Sequence, residues 1–316
     1  MKTDSPHNIA PIKLSALQQE IVEKLAYFGL FKHPLQASEL QNLLHNYYNI
    51  EHVNQALATL EQLGLCYQFA DHFSVHEDVK QRLKKRQTNE ESAEFFFEKL
   101  PFFVRLMSAF PYVRGIAISG SLSKGVIHAD GDIDYFIITT NKRLWLARML
   151  LIIFKKLFLL NSHRYFCVNY FISEKHLEIP DKNLFTATEI STLIPVYGHD
   201  VVRKFKSANA WVSNYYGHFE HPITIDSTST KKYSLKSVIE FLLNNPLGNW
   251  LDKLFMYITI WRWDVKFKHF DRSKFNLALR STRNVSKHHP QDFQTQVLTR
   301  VEESKRAIYA KLNAPK

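Results

Sequence analysis

The stretch 115–140, GIAISGSLSKGVIHADGDIDYFIITT, decides how this chain is read. Residues 113–119, VRGIAIS, read as a strand, and residues 133–139, IDYFIIT, as a second. Between them Gly120-Ser121 reads as a tight turn, because glycine lets backbone approach closely. SLSKG reads as a short helical turn that Gly125 closes. Three aspartates, Asp130, Asp132 and Asp134, fall within five positions at the mouth of the second strand. Strand side chains alternate, so Asp132 and Asp134 share one face and Ile133 and Tyr135 the other. Asp130-Gly131 belongs to the turn before the strand.

Two carboxylates side by side need a countercharge. Hard oxygen ligands beside a phosphate substrate suit Mg²⁺, with Mn²⁺ as a substitute. Two such ions, roughly 3.5–4 Å apart, stabilise both the attacking and the leaving oxygen of a nucleotidyl transfer. Backbone N–H groups where the turn begins favour an anion such as a triphosphate. Ser121 adds a hydroxyl donor and Lys124 a cation. Taken alone, Gly-Ser before a helix reads as an ordinary cap, and a lone Asp-x-Asp reads as a solvated turn. The signal lies in the combination of a strand, Gly-Ser, eleven residues from Ser121 to Asp132, Asp-x-Asp and an apolar strand.

With its spacing, SGSLSKG…GDIDYFII resembles the signature of the polymerase-β-like nucleotidyltransferase superfamily. The resemblance covers residues 110–175 and their flanks. It implies that Gly120 and Ser121 bind the triphosphate and that Asp132 and Asp134 hold the metals. The family pattern has a third carboxylate on a later strand, which helps deprotonate the attacking hydroxyl. The matching strand here, YFCVNYFIS at 165–173, offers Asn169 instead. An Asn carbonyl can ligate Mg²⁺ but cannot act as a base. Three readings stand: Asn169 as a neutral ligand in a slow enzyme, Glu174 reaching the site, or a nucleotide binder without turnover.

Around this core the sequence predicts an α+β protein of three parts. Residues 1–86 read as three helices, 14–28 (capped by Ser15), 38–44 (capped by Ser38) and 51–63 (closed by Gly64), and then a hairpin turning at Ala70-Asp71. This layout resembles a winged helix. Residues 33–79 contain no Lys or Arg against six Asp and Glu, so phosphate neutralisation is absent and a protein contact is expected rather than DNA. Residues 87–200 read as the mixed-sheet core. It opens with a helix over 80–110 that Pro101 breaks in two, and it carries a buried helix at 142–160. From about residue 186 the chain reads as helical, with 201–316 as a helical domain and 220–232 as a linker.

The net charge of +11 is concentrated late, since residues 200–316 carry twenty basic against ten acidic side chains. Such a surface attracts polyanions: nucleotides, nucleic acid or acidic lipid. Within it Arg280, Arg283 and Lys287, with His288, are candidate clamps for phosphates or an acidic acceptor, although a solvated basic loop before Pro290 is the favoured reading. Tyr257, Ile260 and Trp261 read as a core stripe, with Arg262, Lys266 and Lys268 on the wet side. Cys66 and Cys167 read as small buried hydrophobes and make neither a disulfide framework nor a zinc site. No secretory signal or spanning helix is visible, so a cytoplasmic location is the default expectation. The expected activity is Mg²⁺-dependent transfer of a nucleoside monophosphate from an NTP to a hydroxyl of a protein, an RNA or a small molecule. The alternative is a nucleotide-binding regulatory or scaffold protein that has lost turnover.

Overall fold

The structure is a computed structural model that describes residues 13–160, 164–225 and 234–312. The chain divides into two compact units. One comprises residues 1–86, 215–219 and 296–316; the other comprises 87–214 and 220–295. Residues 201–316, expected as one helical domain, are therefore shared between the two units.

The first unit opens with helix α1 (Ala16–Gly29), where Ser15 accepts the Gln18 N–H and the Gln18 side chain returns the bond. Strand β1 (Leu35–Gln36) was not foreseen. It leads into α2 (Ala37–Leu43), capped by Gln36 rather than Ser38, with the Glu39 carboxylate accepting the Gln36 N–H. Helix α3 (Ile50–Gln62) starts at Asn49 and ends before Gly64, whose φ of 69° is the left-handed conformation that favours glycine. The hairpin follows as β2 (Tyr67–Phe69) and β3 (His72–Ser74), and β3 also pairs with β1.

Helix α4 (Val79–Ser108) runs unbroken through Pro101, contrary to the expected break. A proline inside a helix costs about 3 kcal/mol. Here Ala93, Phe96, Leu100, Val104 and Met107 are buried at helical spacing on both sides of it, and that packing outweighs the local preference.

The second unit is built on a five-stranded sheet in the order β7-β4-β5-β6-β8. Strand β4 (Val113–Ser119) pairs antiparallel with β5 (Asp134–Thr139). Helix α5 (Leu144–Phe158) then crosses over to β6 (Cys167–Ser173), which is parallel to β5. After α6 (Leu184–Ser191), strand β7 (Ile194–Tyr197) flanks β4, and α7 (His199–Ala208) follows. Helices α8 (Ser234–Leu243), α9 (Pro246–Lys266) and α10 (Arg272–Ala278) lead to β8 (Val285–Lys287), which pairs antiparallel with β6. The last helix is α11 (Phe293–Leu312). The region read as wholly helical thus supplies both sheet edges, each a strand of only four or three residues.

Alternation along β4 and β5 builds two cores. Ile116, Ile118, Tyr135 and Ile137 pack on one side, with the buried side chains of α4 and α5. Ala117, Phe136 and Ile138 pack on the other, with Val202 and Phe205 of α7 and Ile190 of α6. Asp134 shares the second side by the same alternation.

Two further expectations need correction. The first six residues of the expected linker are docked: the His221 ring bonds the carbonyls of Ser123 and Thr192, both at 3.0 Å, and Ile223 and Ile225 pack on the core. Its remainder, 226–232, lies outside the described residues. In α9, Tyr257 and Trp261 face outward instead of forming a core stripe. The inward side is Gly248, Asp252, Thr259 and Trp263, fixed by Asp252, which accepts the Leu146 N–H at 2.9 Å.

Candidate functional site

Strand β4 ends at Ser119, opposite Asp134 where β5 begins, so the sheet itself brings the Gly120 turn to the aspartates. Gly120 has φ +70°, and a Cβ there would come 2.5 Å from Asp134 Oδ2. Only glycine gives both the turn and this contact. Asn169 sits at a bulge in the β5–β6 ladder and donates its side-chain amide to Asp134 Oδ1 at 2.8 Å. Gly120, Asp134 and Asn169 are therefore together. Asp132, half-buried, lies near enough for its charge to act on Asp134.

Glu189 on α6 is the functional candidate that the sequence reading missed. Its carboxylate accepts the Gly120 N–H at 3.3 Å and the Lys124 ammonium at 2.8 Å. Lys124 also bonds the Gly120 carbonyl at 2.9 Å. The N–H and the cation assigned to a triphosphate thus already hold an anion, supplied by the chain itself. The available signal was modest: Glu189 is the only charged residue in α6, LFTATEIS. Ser121 is exposed beside this turn.

Charge crowding shows in the chemistry of Asp134. Burial first, then the charges of Glu189 and Asp132, push its carboxyl up from 3.8 to about 7, against the hydrogen bonds from Asn169 and Cys167. Burial, with Asp134 and Asp132 adding to it, also pushes the Cys167 thiol up to about 12, so it stays protonated. Among the described residues no group of three or more His, Cys, Asp or Glu side chains is arranged to hold a metal ion.

A cavity of about 120 Å³ opens beside Asp134 and Gly120. Phe136, Tyr170 and Phe185 supply apolar walls, and Glu189, Lys287 and His289 supply polar groups. Burial, with the nearby Lys287 charge, pushes the His289 ring down to about 4, so it is neutral at physiological pH.

The other expected residues divide. Glu174 does not reach the site: it follows β6 at the far end, where its N–H donates to Thr139, five residues along β5 from Asp134. At about 3.3 Å per residue this is roughly 16 Å away. Arg280 is no phosphate clamp, because it forms a two-pronged pair with Asp181 at 2.8 Å on both arms. Arg283 lies beside the buried Asp252, 3.5 Å away. Lys287 does line the cavity, with its ammonium on Gln294 Oε1 at 3.1 Å.

No helix among the described residues is long and apolar enough to cross a membrane. Compared with protein-family models, with curated proteins and with solved structures, the chain finds no match.

Proposed function

We propose that this chain transfers a nucleoside monophosphate from an NTP to an acceptor hydroxyl, and that its second unit is a core of the polymerase-β-like nucleotidyltransferase kind beside a winged-helix-like first unit. One observation carries the reading. The Gly120 turn and the Asp132-Asp134 pair meet at one sheet end, where burial first, and then the charges of Glu189 and Asp132, hold the Asp134 carboxyl up to about 7.

Two neighbouring carboxylates are hard oxygen ligands, so Asp132 and Asp134 fit a divalent cation, with Asn169 beside them as a neutral oxygen donor once its amide turns. The bound ion would neutralise charge building on the phosphates. The chain's own groups do the rest. The Gly120 N–H, Ser121 and Lys124 take the triphosphate in place of Glu189. Glu189, released from them, accepts the proton of the acceptor hydroxyl. The hydroxyl oxygen bonds to the α-phosphorus, and the bond to the bridging oxygen breaks to free pyrophosphate. Phe136 and Tyr170 offer a flat apolar wall for a base or an acceptor ring.

A second reading, nucleotide binding without turnover, is favoured by Asn169 standing where a carboxylate is expected and by Glu189 occupying the anion-binding turn. Both readings require that NTP with Mg²⁺ raise Tm and that Asp132→Asn with Asp134→Asn abolish the rise. An absence of any rise with all four NTPs would sink both.

A further inference from the structure

Helix α9 is amphipathic the wrong way round for a helix that only packs inward. Its buried side is Gly248, Asp252, Thr259 and Trp263. Its opposite side carries Leu247, Trp250, Tyr257, Trp261 and Val265, all between 56 and 66 % exposed. The spacings of three, seven, four and four residues put these five on one stripe. Helix α8 adds Leu235, Val238, Phe241 and Leu242, with Phe241 83 % exposed. A run of large apolar side chains this long is an interaction surface, because water does not favour it.

The charges beside the stripe identify the partner. Lys253 borders it on one side and Arg262 on the other, both exposed, and Lys266 and Lys268 are exposed at the helix end. Every carboxylate of α8 and α9 is engaged. Glu240 is held by Arg114 at 2.7 and 2.8 Å, Asp252 is buried, and Asp264 pairs with Arg272 at 2.8 Å. The face is thus an apolar stripe rimmed by cations. A second copy would bring like charges together across a two-fold axis. Two tryptophans and a tyrosine between lysines and an arginine match the interface of a bilayer, where rings sit at headgroup depth and cations meet anionic lipid.

We propose that the α8–α9 face docks on the surface of an anionic lipid bilayer, with α9 lying in the interface plane. Its 21 residues span about 30 Å along the surface, and nothing is inserted across it. This binding is independent of the nucleotidyl-transfer reading.

The test is co-sedimentation of the full chain with vesicles of phosphatidylcholine alone or mixed with phosphatidylserine, together with tryptophan emission. The expected result is binding and a blue shift with the anionic vesicles only, weakening as salt rises. Trp250→Ala with Trp261→Ala should reduce binding at least about tenfold, since two buried aromatic rings are lost. Lys253→Glu with Arg262→Glu and Lys266→Glu should remove the preference for anionic lipid. These positions are exposed, so unchanged far-UV circular dichroism and Tm confirm that the variants fold. The Asp132→Asn, Asp134→Asn chain should still bind, which separates this proposal from the catalytic one. It is overturned by an absence of binding to anionic vesicles, by equal binding of the tryptophan variant, or by a dimer in light scattering that Trp261→Glu dissociates. Capture of an acidic protein by this face without vesicle binding would overturn it as well.

Discussion

Replacing Asp134 by Asn tests whether burial, with the charges of Glu189 and Asp132, holds its carboxyl protonated. The amide oxygen can still accept the Asn169 bond, while the titration disappears. Holding a carboxyl at about 7 rather than 3.8 leaves a gap of about 3 pH units, worth up to about 4 kcal/mol at about 1.4 kcal/mol per unit. Asp134 retains partial exposure, so about half of that is expected in practice. The sign follows from proton binding. The native carboxyl keeps its proton up to about pH 7 and the unfolded one loses it near pH 4, so native stability falls as pH rises from about 4 to about 7 and is then level. Denaturant unfolding of both chains from pH 4 to 8 should therefore show Asp134→Asn gaining on the wild type across that window. The gain should reach about 2 kcal/mol at pH 8, or about 4–8 °C in Tm. Millimolar Mg²⁺ at pH 8 should stabilise the wild type and leave Asp134→Asn unchanged. Parallel pH curves for the two chains would refute the reasoning, whatever their absolute stabilities.

Other outcomes follow from the same site and its surroundings. Glu189→Ala frees the Gly120 N–H and Lys124, so NTP binding should tighten by about tenfold in calorimetry while turnover falls. His288 and His289 are pushed down to about 3 and about 4, chiefly by burial, and both are neutral in the native state. The unfolded chain takes up those protons below about pH 6.5, so acidification towards pH 4 should cost on the order of several kcal/mol, and His289→Gln should flatten part of that slope. Pro101→Ala restores a helical N–H inside α4, so Tm should hold or rise, whereas a marked fall would show that the ring itself is needed in the packing.

What the sequence disclosed followed from local physics. The β4 and β5 strands and the Gly120 turn come from alternation and glycine geometry, and all are present, but β5 begins at Asp134, so Asp132 precedes the strand instead of sharing its face. Helices α1 and α3 announced themselves by caps and periodicity. The unread parts depend on distant residues. Glu189 meets Gly120 only because α6 folds back across 69 positions of sequence. Strands β7 and β8 are too short to show a period and become strands by pairing with β4 and β6. Arg280 looked free in a basic loop, but Asp181, 99 residues earlier, neutralises it. Trp261 read as core because periodicity reveals a stripe without saying which stripe faces inward; Asp252 and Trp263 decide that in the folded chain.

The most direct measurement of the central claim is pyrophosphate release from each of the four NTPs with Mg²⁺ and a pool of cell-extract acceptors. The wild type is set against Asp132→Asn with Asp134→Asn. Release by the wild type with at least one NTP, and none by the double variant, is the predicted result. Tight NTP binding with no release, or equal release from both chains, would contradict nucleotidyl transfer at this site.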